Sequence, residues 1–219
     1  MNRQSKKQID WCDYTWNPIS GCWHGCDYCY LLRMKARFPA IMGPAFHRSR
    51  LGQPAEVKQP ALIFTGSSGD MFGHWVPAEQ IQQVLDIVSH LSRHTFQFLT
   101  KNPSRYAEFD LPQNAWYGTT VDGLDRTRQA EENLCRAVGP DRLKFISFEP
   151  LIKLPYIDLE KIDWIIIGAD SNKGAIKPPQ TWAAILEYSA DIRNIPVWVK
   201  DNYNYIDTVK NMPACRRMP

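Results

Sequence analysis

Six short, unbroken runs of apolar, β-branched or aromatic residues punctuate this chain: Leu62–Thr65, Thr95–Thr100, Ala115–Val121, Leu143–Phe148, Trp164–Ile167 and Val197–Val199. Each stops at polar residues or glycine, as buried strands do. A run such as Ile165-Ile166-Ile167-Gly168 has no polar face, which suits a parallel strand covered on both sides. A first strand is expected around Ile9–Tyr14. Between the runs lie helical patterns. From Pro77 to Ser92, Ile81, Val84, Leu85, Val88 and Leu91 share one face, with Pro77 suited to a first turn. Thr181 is placed to cap a helix carrying Trp182, Ile185, Leu186 and Ile192. Weaker patterns cover Asp122–Val138 and Tyr30–Phe38. This alternation predicts parallel β/α units in a single α/β domain of 219 residues. The stretch Pro39–Pro60 has four prolines and no periodicity, and is expected to form a long loop or lid.

The bulk numbers exclude little. The net charge of +3 permits a nucleic-acid partner without arguing for one. No apolar run approaches the roughly 18–20 residues of a membrane span. The polar stretch Met1–Asp10 lacks the apolar segment of a signal peptide, so a cytoplasmic address is expected. In a reducing compartment cysteines rarely form disulfides. Cys12, Cys22, Cys26, Cys29, Cys135 and Cys215 are therefore read for metal or redox chemistry, and three of them lie within residues 22–29.

That segment reads Cys22-Trp23-His24-Gly25-Cys26-Asp27-Tyr28-Cys29, a C-x3-C-x2-C spacing. Three thiolates on one loop can hold three irons of a [4Fe–4S] cubane and leave the fourth open. Gly21 and Gly25 let the backbone curl. A structural zinc needs a fourth ligand, from His24, Cys12 or Cys215, and no second C-x2-C pair follows. The ends of the expected strands carry Gly66-Ser67-Ser68-Gly69-Asp70, Thr100-Lys101-Asn102, Thr119-Thr120-Val121-Asp122, Glu149-Pro150, Gly168-Ala169-Asp170-Ser171-Asn172 and Lys200-Asp201-Asn202. Asp, Asn, Ser and Gly there also serve turns. Glu149, Lys101 and Lys200 are not favoured turn residues, and α/β folds bind ligands at these ends.

The three-cysteine motif, with aromatic Tyr28 before its last cysteine, resembles the signature of radical S-adenosylmethionine (SAM) enzymes. Trp16-Asn17-Pro18, Gly21-Cys22 and Cys26-Asp27-Tyr28-Cys29-Tyr30 look like a phage-associated family of small radical-SAM-like proteins. So do Ile63-Phe64-Thr65-Gly66-Ser67, Asp70-Met71-Phe72, Thr95–Lys101, Ser147-Phe148-Glu149-Pro150-Leu151 and Ile162–Gly168. Where that family usually continues Gly-Gly-Glu-Ser, this chain has Gly168-Ala169-Asp170-Ser171.

The resemblance implies a partial (β/α)6-type TIM barrel, a [4Fe–4S] cluster on Cys22, Cys26 and Cys29, and reductive cleavage of SAM to a radical that abstracts a substrate hydrogen. An external one-electron reductant of flavodoxin or ferredoxin type would then be a partner. Tyr28 is expected against adenine, and Gly66, Ser67 and Ser68 near the methionine amino group. Asp70 would stand in for the Glu that many members have there. Lys101 suits the SAM carboxylate as a compact point charge. Glu149 and Asp170 are candidates for ribose or substrate, and Lys200 and Asp201 for substrate. Trp11, Trp16, Trp23 and Trp75 are expected to pack. Arg33, Lys35, Arg37, Arg48 and Arg50 near the lid could meet phosphates. Together these favour a nucleotide or nucleic-acid base as substrate, as in phage base hypermodification. The rival reading is a zinc-stabilised, non-catalytic nucleic-acid-binding module.

Overall fold

The computed structural model describes residues 1–5, 8–207 and 209–214. Its strands in chain order are β1 (Asn2–Arg3), β2 (Tyr14–Trp16), β3 (Ile19–Ser20), β4 (Ala45–Phe46), β5 (Leu62–Thr65), β6 (Thr95–Thr100), β7 (Ala115–Thr120), β8 (Lys144–Phe148), β9 (Trp164–Ile167) and β10 (Val197–Val199). The helices are α1 (Tyr30–Met34), α2 (Ala78–His90), α3 (Ala130–Ala137) and α4 (Gln180–Asp191). Eight strands form one sheet in the order β1-β2-β5-β6-β7-β8-β9-β10. From β2 to β10 every neighbouring pair is parallel. Only β1, at the edge, runs antiparallel. The architecture is the expected α/β partial barrel. Side chains span its open side: Asp10, ahead of β2, accepts from Trp198 Nε1 of β10 at 3.2 Å and pairs with Lys210 at 2.6 Å. Among the described residues no helix is long and apolar enough to cross a membrane.

Alternation along the strands divides the apolar residues into two cores. Ile63, Phe96, Phe98, Tyr117, Ile146, Ile165 and Ile167 face outward and meet Ile81, Val84, Leu85 and Val88 of α2, Leu134 of α3 and Leu186 of α4. The opposite face turns Phe64, Trp116, Phe145, Trp164 and Ile166 inward, where Trp11 joins them. Trp164 contacts Trp11 and Trp116 edge-on at centroid distances of 6.0 and 5.7 Å, and its indole N–H donates to the Asn211 carbonyl at 3.0 Å. A side chain at Gly118 would collide with the Phe145 ring, so glycine there makes room for the ring inside the barrel. These aromatics form a floor, and the cavity opens above it at the carboxyl ends of the strands.

Three expectations need correction. Residues 9–13 form a turn, and β2 starts at Tyr14, because Asp13 uses its carboxylate to accept the Leu62 N–H at 2.8 Å. The helix expected over Asp122–Val138 shrinks to a 3-10 turn, Asp125–Thr127, and α3. The Asp122 carboxylate takes the Leu124 N–H and the Thr127 hydroxyl, a local bonding pattern that competes with helix. Helix α4 starts directly after Pro179, without a side-chain cap from Thr181. The stretch 39–60 is a long irregular segment of 3-10 turns around β4. It is pinned to the barrel wall by the pairing of β4 with β3, by Trp16 Nε1 donating to the Arg50 carbonyl at 2.8 Å, and by Arg93 on the carbonyls of Ala55 and Val57. If the aromatic floor holds the barrel together, Trp164→Ala should cost about 3–5 kcal/mol in urea unfolding of the apo-protein.

Candidate active site

The cysteine loop leaves β3 at Gly21. This residue has φ +83°, and a Cβ on it would strike the Gly43 and Pro44 backbone, so only glycine fits. Gly21 N–H donates to the Ser68 carbonyl at 2.9 Å and Cys22 N–H to the Met42 carbonyl at 3.0 Å. The stretch 39–60 thus braces the loop from outside. Gly25, at φ +67°, turns the chain back, and Cys29 N–H donates to the Cys26 carbonyl at 2.9 Å. As a result Cys22, Cys26 and Cys29 all line one cavity of about 640 Å³. Burial pushes the Cys22 thiol up to about 11, partly offset by the His24 backbone N–H.

Most of the strand-end candidates reach the same cavity. Tyr28, Gly66, Ser67, Asp70, Lys101, Glu149, Asp170 and Lys200 all line it. The turn after β5 is shaped by Gly66 (φ +90°) and by Asn17. The Asn17 side-chain carbonyl accepts the Ser68 N–H at 2.9 Å, and its amide donates to Ser67 Oγ at 3.0 Å. Ser68 contributes its backbone N–H and carbonyl to this loop, and Gly66, Ser67 and Gly69 beside it line the cavity.

Asp70 lines the cavity and ties its wall to the cysteine loop. Its carboxylate is buried and fully engaged. One oxygen accepts the Phe72 N–H at 3.0 Å. The other meets His24 Nε2 at 2.7 Å and the Lys101 N–H at 2.9 Å. Burial disfavours its charge, yet His24, the Lys101 N–H and the Thr100 hydroxyl hold its pKa below the usual carboxylate value. With both oxygens so occupied, Asp70 is a clamp between the cysteine loop and the end of β6.

At the mouth, the Tyr28 hydroxyl donates to Asp122 at 2.6 Å, and Asn172 Nδ2 donates to the Tyr28 carbonyl at 2.8 Å. Lys101 Nζ lies 5.6 Å from the centre of the Tyr28 ring. Across the cavity Lys200 forms a hydrogen-bonded ion pair with Glu149. Gly168 lies between them: a Cβ there would come within 3.1 Å of the Glu149 carboxyl carbon and of Lys200 Cδ. Asp170 accepts the Asn172 N–H at 2.8 Å, which shapes the loop after β9. Asp201 is not brought in. Its side chain is exposed, in a 3-10 turn, and pairs with Lys210 at 2.7 Å. Here the strand-end pattern points at Lys200 and away from its neighbour.

Three thiols on one loop suit a cluster, and a structural tetrahedral zinc would need a fourth ligand. Cys215 lies outside the described residues, and Cys12 sits against the aromatic floor. A cubane instead takes each thiolate on a separate iron. The sequence reading passed over Asn17, Asp122 and Asn172 as site-building residues. Their signal was present, in the Trp16-Asn17-Pro18 motif and at two strand ends, but the hydrogen bonds that give them work span up to 144 residues.

Removing the clamp should be visible. Asp70→Asn should cost the apo-protein about 2–3 kcal/mol in urea unfolding and lower the iron incorporated per chain. The native pKa lies below the unfolded one, so the carboxylate stabilises above the ordinary carboxylate range, and that contribution disappears as pH falls through the native value. The variant's stability should therefore vary less with pH on the acid side.

Among solved structures, this chain is similar to a spore photoproduct lyase double mutant with bound AdoMet and dinucleoside spore photoproduct. The TM-score is 0.52 at 11% identity, covering 82% of this chain and 61% of that one. A second, spore photoproduct lyase complexed with dinucleoside spore photoproduct, gives 0.49 at 10% identity, covering 79% of this chain and 59% of that one. This chain thus spans about three fifths of the first of these structures. That first similarity establishes a shared partial-barrel fold. No match is found among curated proteins. A family model described as "Protein of unknown function (DUF5131)" matches residues 6–215, and the chain belongs to that family.

Proposed function

We propose that this protein is a radical SAM enzyme acting on a nucleotide or on a base of a nucleic acid. The observation that carries the reading is the convergence of three motif thiols and polar strand ends on one cavity above the floor of a partial barrel. Cys22, Cys26 and Cys29 hold the cluster. When bound, the cluster and SAM supply reductive C–S cleavage and a hydrogen-abstracting carbon centre, with the electron coming from a flavodoxin- or ferredoxin-type donor. Lys101 meets the SAM carboxylate, and the turn of Gly66 and Ser67 meets the amino group. Tyr28, held by Asp122, borders the adenine. Glu149 and Asp170 take ribose or substrate hydroxyls. Lys200, steadied by Glu149, faces the substrate. Trp11, Phe64 and Leu99 line the deeper part of the cavity and keep water from the reacting carbon.

The nucleic-acid assignment has support outside the cavity. Between Asp27 and Glu56 the sequence has no acidic residue. Arg33, Lys35, Arg37 and Arg48 are exposed there, and the described ion pairs leave them unmatched. Trp23 (63% exposed), Tyr30 and Phe38 stand among them. Cations for phosphates beside aromatic faces for bases are what a single-stranded nucleic acid needs. A structure of similar fold carries a dinucleoside photoproduct, which agrees with a nucleotide-sized ligand. Base hypermodification by a phage protein in the host cytoplasm fits this reading.

Anaerobic reconstitution tests it. The wild type should be brown, hold about four irons and four sulfides per chain, and convert SAM to 5′-deoxyadenosine with dithionite. Replacing Cys22, Cys26 and Cys29 by alanine should abolish both colour and product. A full cluster that yields no 5′-deoxyadenosine refutes the radical reading, and colourless protein with one zinc supports the binding module.

A further inference from the structure

The deep end of the cavity contains polar groups that nothing else in the site uses. Ser147, on the inward face of β8, is 1% exposed, lines the cavity, and among the described residues has no hydrogen-bond partner for its hydroxyl. Trp11 is 4% exposed, lines the same cavity, and its indole N–H likewise has no partner among the described residues. Thr120, directly across the ladder from Ser147, also lines it. Gln97 lies two residues below Leu99, hence on the same inward face of β6. It is fully buried, and neither its amide oxygen nor its amide nitrogen has a partner among the described residues. Each unmade buried hydrogen bond costs free energy, so a fold that keeps several at one place is suited to a ligand that makes them.

We infer that this floor is a recognition subsite for a flat heterocycle with a lactam edge, a ring carbonyl beside a ring N–H. The inference rests on the radical SAM reading above and names the chemistry of its substrate. Indole N–H is a donor only, so Trp11 calls for an acceptor, which a ring carbonyl supplies. The Ser147 oxygen then accepts the adjacent ring N–H. The Gln97 amide lies one layer deeper, in register with Phe64 and Trp116, and is not part of the cavity wall. Phe64, Leu99 and the Trp11 ring supply apolar walls for the flat faces. The Glu149–Lys200 pair stands on the same inward faces of β8 and β10, nearer the mouth, and leaves the floor to uncharged groups. Thymine and uracil carry such an edge, whereas a base methylated on that ring nitrogen does not.

The test uses reconstituted wild-type holoenzyme with SAM, under anaerobic conditions. Equilibrium dialysis compares a short oligothymidylate with the same strand carrying N3-methylthymine at its centre. Methylation should weaken binding about tenfold, the loss of one buried hydrogen bond. Ser147→Ala, and Trp11→Phe, which keeps a ring and removes the N–H, should each weaken binding of the unmodified strand by about the same factor. Iron content confirms that each variant is loaded. The melting temperature of Ser147→Ala apo-protein should be unchanged or raised, because its hydroxyl holds nothing in the fold. Equal binding of the two strands, wild-type affinity in either variant, or a destabilised Ser147→Ala protein overturns the inference. The two readings fail separately, since dialysis decides the subsite and 5′-deoxyadenosine formation decides the radical chemistry.

Discussion

One buried carboxylate holds the candidate site together. Asp70 accepts the Phe72 N–H of its own turn, the Lys101 N–H at the end of β6, and the His24 imidazole from the cysteine loop. These three parts come from well-separated stretches of chain. Burying a charge is costly unless it is bonded on all sides. Here both oxygens are engaged, so the carboxylate stays ionised. The cysteine loop contributes little apolar burial of its own, and His24 also leans edge-on against Trp75 at 4.8 Å. Placement of the thiols therefore depends on hydrogen bonds more than on packing.

The barrel separates two environments along its axis. At the amino ends of the strands the interior is filled by Trp11, Trp116, Phe145 and Trp164. At the carboxyl ends it is lined by carboxylates, lysines and thiols. Parallel strands make this division natural, because each leaves its last residues and the following loop on one side. A dry lower half beneath a polar upper half suits chemistry that needs both charge recognition and exclusion of water. It also explains why unpaired polar groups as deep as Ser147 stand out: they interrupt the apolar floor where a substrate's inner edge would lie.

Much of this was legible in sequence. The six apolar runs matched β5 to β10 within a residue or so, since a strand buried on both faces leaves a continuous apolar signature. Helix α2 was legible because its inward residues recur at helical spacing. Short elements were not. The weak pattern after Asp122 failed because a single side chain diverted the backbone, and periodicity does not register one competing hydrogen bond. The prolines of 39–60 announced irregular chain but not its location, and only strand pairing between β3 and β4 places it on the barrel wall.

For the site, residue type and spacing alone determined the three thiols on one glycine-bent loop and the polar character of every strand end. These are local properties, carried by neighbours in the chain. Tertiary structure alone decided that Asp70 is a clamp, that Lys200 faces Glu149 while Asp201 turns outward to Lys210, and that Tyr28 is anchored by Asp122. Each of these depends on which distant strand stands opposite and which way a side chain leaves the backbone. One-dimensional patterns do not encode that, because the partner is chosen by the register of the sheet.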